Sequence, residues 1–175
     1  RGSLRKALTA LRAACGADVV VADRLTVRLN PDYPLWIDAA EFERRVAPRP
    51  PADALPNAEQ LATLDLYRGD LLPDFYDDWI TPLREHYRAA FLERALALAA
   101  TLRARSEYTH AVALAQRALA ADRANERAHQ HLMFCYLALG RRSEALQQYE
   151  ICKRALWEEL AVAPSRETTA LYRWI

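Results

Sequence analysis

The sequence has few of the residues that build sheets, cross-link small domains or cross membranes. Only four of its 175 residues are glycine and three are cysteine, whereas alanine (34) and leucine (26) make up a third of the chain. So few glycines argue against an all-β sandwich, and the abundance of alanine and leucine favours helix. No apolar run approaches the roughly 18 residues that a membrane span needs. The longest, Leu132 to Leu139, ends at Gly140, and no secretory signal is visible.

Neither the cysteines, the histidines nor any short motif indicates a catalytic or metal site. Cys15, Cys135 and Cys152 form no C-x-x-C pair and lie among helical apolar residues, so we expect core thiols in a reducing cytosol. His129 and His131 are two positions apart and therefore lie on different helix faces. The sequence contains no G-x-x-x-x-G-K-[ST], G-x-S-x-G or H-E-x-x-H motif. We therefore predict a cytoplasmic protein that is not an enzyme and needs no cofactor or metal.

Basic residues are concentrated at the beginning of the chain. The formal net charge of +1 conceals six basic and two acidic groups in residues 1–30, against 18 basic and 21 acidic groups in residues 31–175. Because nucleic acid attracts basic surfaces, only the first segment has the charge of a DNA-binding element. Residue 1 is not methionine and the chain opens inside a helical pattern, so we expect it to be part of a longer protein.

The first predicted element of this basic segment is a helix. Leu4, Leu8, Leu11 and Cys15 recur at helical spacing, and Gly16 is typical of the residue that follows a helix end. The opposite side of this helix carries Arg1, Arg5, Lys6, Thr9 and Arg12.

A β-hairpin is predicted next. Val19 and Val21 alternate before a turn at 22–24, and Leu25, Val27 and Leu29 alternate after it. Arg24 and Arg28 give the hairpin a basic edge. Residues 30–34, with two prolines, then end the pattern.

From Asp38 to the end the apolar pattern is helical. Residues 48–56 interrupt it with four prolines in nine positions, which predicts an extended connector. A helix follows from Asn57, and a long helix from about 79 to 105.

An aromatic loop with four aspartates precedes the long helix. The spacing of Asp70, Asp74, Asp77 and Asp78 is not that of a calcium loop, so we expect them to cap the following helix. Trp79, Trp157, Trp174 and Tyr149 have helical spacing and are expected to belong to the core rather than to a ligand groove.

The last part of the chain repeats with a period of 34 residues, the period of tetratricopeptide repeats. This shift superposes Leu98 on Leu132 and Ala111 on Ala145. Small residues at such positions let two helices pack closely, and each helical pair must stack on a neighbour to bury its apolar face. The predicted helices span 83–105, 108–121, 125–139 and 143–160, with a closing helix from about Ser165. The concave face of this array is a candidate protein-binding surface whose polar candidates are Arg103, Gln116, Arg127 and Gln130.

Three spaced motifs carry a resemblance to a known family. They are LYRGDLLPDFYDDW (66–79), ALGRRSEALQQYE (138–150) and ELAVAPSRET (159–168). Together they resemble the bacterial transcriptional activator domain, which occurs in regulators similar to the Streptomyces antibiotic regulatory proteins. In that family the domain follows an OmpR-type winged-helix DNA-binding domain, and residues 1–29 resemble the end of one. The expected domains are therefore 1–35 and 36–175.

The resemblance implies a fold and a candidate site. The fold is mainly α: a tetratricopeptide-like helical repeat array preceded by an N-terminal helix and a β-hairpin, the remnant of a winged helix. By this resemblance the helix corresponds to the recognition helix and the hairpin to the wing. Arginine and lysine would neutralise phosphates, and a helix in the major groove offers arginine or threonine to base edges. The candidate DNA-binding residues are Arg1, Ser3, Arg5, Lys6, Thr9, Arg12, Arg24 and Arg28.

Two interpretations of the function are open at this point. In the first, the chain belongs to a transcriptional activator that binds double-stranded promoter DNA, and its repeat domain forms a homodimer or contacts RNA polymerase subunits. In the second, the chain is a tetratricopeptide-like protein–protein interaction scaffold without DNA binding, and the N-terminal hairpin merely caps the array. A helix-turn-helix pattern upstream of residue 1 would favour the first.

Overall fold

The computed structural model describes residues 2–23, 25–46 and 57–175. Its helices are α1 (Gly2–Cys15), α2 (Asp38–Val46), α3 (Asn57–Leu64), α4 (Ile80–Ala104), α5 (Tyr108–Ala121), α6 (Glu126–Ala138), α7 (Arg142–Leu160) and α8 (Arg166–Trp174). Its strands are β1 (Val20–Ala22) and β2 (Val27–Leu29). The predicted mainly α fold with a short N-terminal hairpin is confirmed. The proline-rich connector predicted at 48–56 lies outside the described residues.

The chain divides into two compact units, residues 1–37 and 38–175. In the first, Gly16 follows α1 with φ +106°, a left-handed conformation that glycine adopts without steric cost. Strands β1 and β2 pair in antiparallel register. The Asp23 carboxylate closes their turn by accepting the backbone N–H groups of Leu25 and Thr26, both at 2.7 Å. These hydrogen bonds, that of Leu25 first, hold the pKa of Asp23 below its usual value.

The second unit is a helical repeat array. Helices α4 and α5 form one pair and α6 and α7 the next, and α8 follows as the closing helix. The side chains that the 34-residue shift superposes are buried: Leu98 and Leu132 are 1% and 2% exposed, and Ala111 and Ala145 are fully buried. The repeat pattern therefore identified the residues on which the helices of each pair pack.

The two helix pairs share an unusual backbone conformation where their first helix ends. Ser106 follows α4 with φ +62°, and Gly140 follows α6 with φ +75°. The two positions are one repeat period apart, so the same left-handed turn recurs in both pairs. Glycine adopts it at no steric cost, whereas serine is strained there.

Replacing Ser106 by glycine is expected to raise the free energy of unfolding by about 0.5–1 kcal/mol, because the relief of strain exceeds the extra entropy of the unfolded glycine. Urea denaturation of the two proteins measures the difference. Ser106→Ala is the matched control: it removes the hydroxyl but keeps the strained Cβ, and should not stabilise. Equal stability of Ser106→Gly and wild type would contradict this explanation.

Helices α2 and α3 pack on the array through an aromatic cluster. Phe42 of α2 and Leu64 of α3 are almost fully buried. The ring of Tyr67 stacks on that of Phe91 from α4, with centroids 4.4 Å apart. Arg117 of α5 donates a hydrogen bond of 2.8 Å to the carbonyl oxygen of Leu64, which satisfies a backbone acceptor at the end of α3.

The predicted capping of α4 by aspartates is wrong. The residue before the helix is Trp79, which has helical φ and ψ and makes no side-chain capping hydrogen bond. The backbone carbonyl of Asp77 instead accepts the N–H of Ile80 at 3.0 Å. The Asp70 carboxylate binds Arg88 at 2.7 Å. A backbone turn therefore starts the helix, so the aspartate side chains are not needed for it.

The expectation that the tryptophans belong to the core is also wrong. The exposed fractions of Trp79, Trp157 and Trp174 are 59%, 68% and 67%. Tyr149 is half-buried and stacks on Tyr172 at 4.1 Å. Helical spacing predicted the side of the helix on which each residue lies. It did not predict which side of the helix is buried by another element.

The cysteines divide into two kinds. Cys135 and Cys152 are buried core thiols, as predicted, and burial raises the pKa of Cys152 to about 12. Cys15 is exposed, so its assignment to the core is wrong. Its apolar stripe on α1 is not covered by the described residues.

Candidate nucleic-acid interface

The basic side chains of α1 lie on its surface. Its sequence is alanine- and leucine-rich and has no glycine or proline between Ser3 and Cys15, so the helix continues for 14 residues. Arg5, Lys6 and Arg12 are all exposed, and no acidic residue occurs in α1. The helix thus presents positive charge without a neutralising partner on its own surface.

Two of the predicted α1 residues have partners inside the N-terminal unit. The Thr9 hydroxyl donates to the carbonyl oxygen of Arg5 at 2.9 Å, one turn back in the helix. The Arg12 guanidinium donates to the carbonyl oxygen of Val20 at 3.3 Å and so ties the helix to β1. Arg5 and Lys6 have no side-chain hydrogen bond or ion pair with any described residue, and they can reach a phosphate without breaking a contact.

The hairpin contributes one described basic residue. Arg28 is exposed on β2 and lies opposite Val21 in the β1–β2 register. Arg1 and Arg24 lie outside the described residues. Ser3 belongs to α1, and its side chain also lies outside the description. The structure therefore shows Arg5, Lys6, Thr9 and Arg12 on one helix, with Arg28 on the hairpin.

Two further residues fix the helix and hairpin in place and were missed at the sequence level. The Asn30 amide donates to the carbonyl oxygen of Asp18 at 2.8 Å. The Tyr33 hydroxyl donates to the carbonyl oxygen of Cys15 at 3.3 Å, where α1 ends. The pattern of residues 30–34 indicated only a break in structure, since no local signal shows that its polar side chains reach back across the unit.

An apolar stripe of α1 is also exposed. The side chains of Leu4 and Leu11 are 58% and 40% exposed, and Val27 and Leu29 on the hairpin are about half exposed. Helices of globular proteins usually bury such stripes. The N-terminal unit thus combines a basic surface with an apolar one.

Three of the four polar residues predicted to line the concave face of the repeat array contact neighbouring side chains. The Gln116 amide lies 3.3 Å from the Tyr136 hydroxyl, and the Gln130 amide donates to Thr168 at 2.7 Å. The Arg103 guanidinium lies over the Phe134 ring, 4.7 Å from its centroid. The fourth candidate, Arg127, is exposed.

Within residues 2–23, 25–46 and 57–175, no group of three or more histidine, cysteine, aspartate or glutamate side chains is placed to hold a metal ion. No helix in the same ranges is long and apolar enough to cross a membrane.

Comparison with known proteins identifies one family. The family model of the bacterial transcriptional activator domain matches residues 37–175, which include the whole helical repeat array. No curated protein matches the chain.

Proposed function

The chain belongs to the bacterial transcriptional activator domain family, and from this premise we propose that it regulates transcription by binding promoter DNA through its N-terminal unit. In this proposal residues 1–35 are the C-terminal part of a winged-helix domain, with α1 as recognition helix and the β1–β2 hairpin as wing. The protein acts in the cytoplasm, and its helical repeats contact the transcription machinery or a second copy. The family is one of regulatory domains, not of enzymes.

The observation that supports DNA binding is the uncompensated positive charge of α1. Arg5, Lys6 and Arg12 are exposed on a helix without acidic residues, and Arg28 adds a charge on the adjacent hairpin. Each arginine or lysine that neutralises a phosphate releases counterions, which drives binding and makes it sensitive to salt.

The dimensions of α1 suit the major groove. With its side chains a helix is about 10–12 Å across, which matches the groove width of about 12 Å, and the 14 residues of α1 extend about 21 Å. Arg5, Thr9 and Arg12 then share a stripe along the groove, flanked by Lys6, and Arg28 reaches an adjacent phosphate. Because the Thr9 hydroxyl already donates to the carbonyl oxygen of Arg5, its methyl group and its oxygen as an acceptor are left for contacts with base edges.

A salt titration of duplex DNA binding tests this proposal. We expect the Arg5→Ala, Lys6→Ala variant to bind a mixed-sequence duplex more weakly than wild type, with a salt dependence flatter by about two units of slope. The two side chains make no hydrogen bond or ion pair with any described residue, so we expect the fold to be unaffected. Fluorescence anisotropy of labelled DNA at several salt concentrations gives both affinity and slope.

The matched control removes the same charge from the repeat array. Arg105→Ala, Arg154→Ala alters two exposed arginines that lack ion pairs among the described residues, and it should keep the wild-type slope. Equal slopes for wild type and the α1 variant would remove the recognition-helix assignment. Equal losses in the two variants would indicate a general charge effect instead.

A protein-interaction scaffold without DNA binding is the second candidate. It is favoured by the exposure of Trp157 and Trp174 on the repeat-bearing unit, since exposed large apolar side chains are enriched at protein contacts. Failure of the wild-type chain to bind DNA at low salt would support it over the regulator.

A further inference from the structure

An exposed aromatic surface occurs in the second unit, just before α4. Within residues 70–79, here named the acidic aromatic loop, the exposed fractions of Phe75, Tyr76 and Trp79 are 51%, 89% and 59%, and that of Leu72 is 42%. Scattered exposed apolar residues are normal, but so many in one short segment mark an interaction surface.

The acidic aromatic loop is held in a defined shape by one side chain. The guanidinium of Arg84, on α4, donates hydrogen bonds to the backbone carbonyls of Leu71 and Phe75, both at 2.7 Å, and to that of Leu72. Two adjacent carbonyl groups and a third one three residues later are thereby bound to one helix. A partner that binds here meets a preformed surface and does not have to order the loop first.

The loop also carries more negative charge than the single arginine bound to its carbonyls can offset. Asp70 is paired with Arg88, but the exposed carboxylates of Asp74, Asp77 and Asp78 make no hydrogen bond or ion pair with other residues in the described part of the chain. These aspartates do not cap α4, so no capping hydrogen bond has to be broken for a partner to bind their carboxylates.

A cavity of about 590 Å³ opens beside the loop. Phe42, Leu66 and Tyr87 contribute to its lining from one side, and Leu72 and Pro73 from the loop. Charged residues also line the cavity, namely Asp38, Arg68 and Asp70. The segment that carries the exposed aromatic side chains and the aspartates thus also forms one wall of a partly apolar cavity, an arrangement suited to an apolar side chain flanked by basic ones.

We propose that the acidic aromatic loop is the surface through which this protein docks on a basic, apolar segment of RNA polymerase. The inference rests on the proposed function, which requires a contact with the transcription machinery. The uncompensated aspartates select a partner segment with lysine or arginine, and the cavity accepts an apolar side chain from it. The same carboxylates repel phosphate, so DNA does not bind here.

Purified bacterial RNA polymerase holoenzyme is the probe for the test. With the full chain immobilised, we expect Tyr76→Ala, Trp79→Ala to weaken holoenzyme binding at least about tenfold, because truncated aromatic anchors dominate losses at protein interfaces. A second variant, Asp74→Asn, Asp77→Asn, Asp78→Asn, should slow association and flatten its salt dependence. Biolayer interferometry at several salt concentrations measures both.

Matched controls separate a local effect from a general one. Leu160→Ala removes a large apolar side chain of similar exposure elsewhere on the same unit, and Glu93→Gln removes an exposed charge from α4. Neither should change holoenzyme binding. Unchanged thermal melting of the loop variants shows that any loss comes from the surface and not from unfolding.

The possible outcomes distinguish this proposal from the proposed function. If wild type and both loop variants bind holoenzyme equally, the loop assignment is overturned while the polymerase contact stands. If wild type does not bind holoenzyme, the proposal and the polymerase contact both fail, whereas DNA binding is judged by its own titration. If the loop variants instead abolish self-association in sedimentation velocity, a second copy occupies the surface and the proposal is overturned.

Discussion

Replacing Ala145 by leucine should lower the free energy of unfolding by about 1–3 kcal/mol, and Ala111→Leu should have a similar effect. Both alanines are fully buried in the helices that close the two repeat pairs, and the 34-residue period superposes them. Three extra carbon atoms cannot be accommodated in a close-packed interior without displacing a helix or forcing a strained rotamer. Urea denaturation measures the loss.

Ala113→Leu is the matched control for this prediction. Residue 113 lies on α5, two positions from Ala111, and is exposed. The same substitution there should change stability by no more than about 0.5 kcal/mol. If the buried and exposed substitutions have the same effect, the alanines are not close-packing positions and the repeat alignment is wrong.

The repeat-bearing helices were predictable because two independent signals coincide in them. The apolar period defines α4 to α7 to within a few residues, and the 34-residue period identifies Ala111 and Ala145 as equivalent. Each helical pair buries its apolar face on the next, so the sequence pattern directly records the packing. The closing helix predicted from about Ser165 begins at Arg166, and the Ser165 hydroxyl caps it by accepting the N–H of Thr168 at 3.2 Å.

The exposed surfaces were not predictable in the same way. Helical spacing gave the helix faces on which Trp157 and Trp174 lie. It could not show that these faces are exposed, because exposure depends on where the other helices pack. The aspartates before α4 were predicted as caps from residue type alone, but a backbone turn at Asp77 starts the helix. The bonds from Arg84 to the acidic aromatic loop join residues 9 to 13 positions apart, and no local pattern indicates them.

The histidines of α6 show how an unexpected residue is accommodated in the repeat. His129 stands where the tetratricopeptide motif favours tryptophan. Its ring bridges the carbonyl oxygen of Arg123 at 3.0 Å and the Gln148 amide at 2.5 Å. The amide donates to Nδ1, so Nε2 carries the proton and the ring is neutral. Burial lowers the pKa of His129, which keeps it neutral.

The neighbouring His131 is buried in a less favourable environment. It is 7% exposed, and its Nδ1 atom is buried without a hydrogen-bond partner. Burial first, and then the positive charges of Arg103 and Arg127, lower its pKa to about 4. Protonation in the folded state would place a third positive charge beside these two arginines in a site with little water.

Acidification should therefore destabilise the repeat array through His131. The folded pKa lies below the unfolded value of about 6.5, so the unfolded state binds the proton first as the pH falls. The stability contributed by the neutral ring is complete above about pH 6.5 and is lost progressively towards pH 4. By pH 4.5 the loss amounts to roughly 2–3 kcal/mol for a pKa of about 4.

Urea denaturation between pH 7 and pH 4.5 tests this linkage by comparing two histidine variants with wild type. His131→Leu removes the titrating group from the buried site, so its free energy of unfolding should fall roughly 2–3 kcal/mol less than that of wild type over this range. His110→Gln removes a histidine whose side chain is 68% exposed, and it should retain the wild-type pH dependence.

Carboxylates also weaken the fold in acid, but they are common to all three proteins. Glu41 is one example, because hydrogen bonds from Arg44 and Arg45 lower its pKa to about 2. A His131→Leu profile parallel to that of wild type would show that His131 does not carry the effect, and the acid sensitivity would then reside in other groups, such as His129 or the carboxylates.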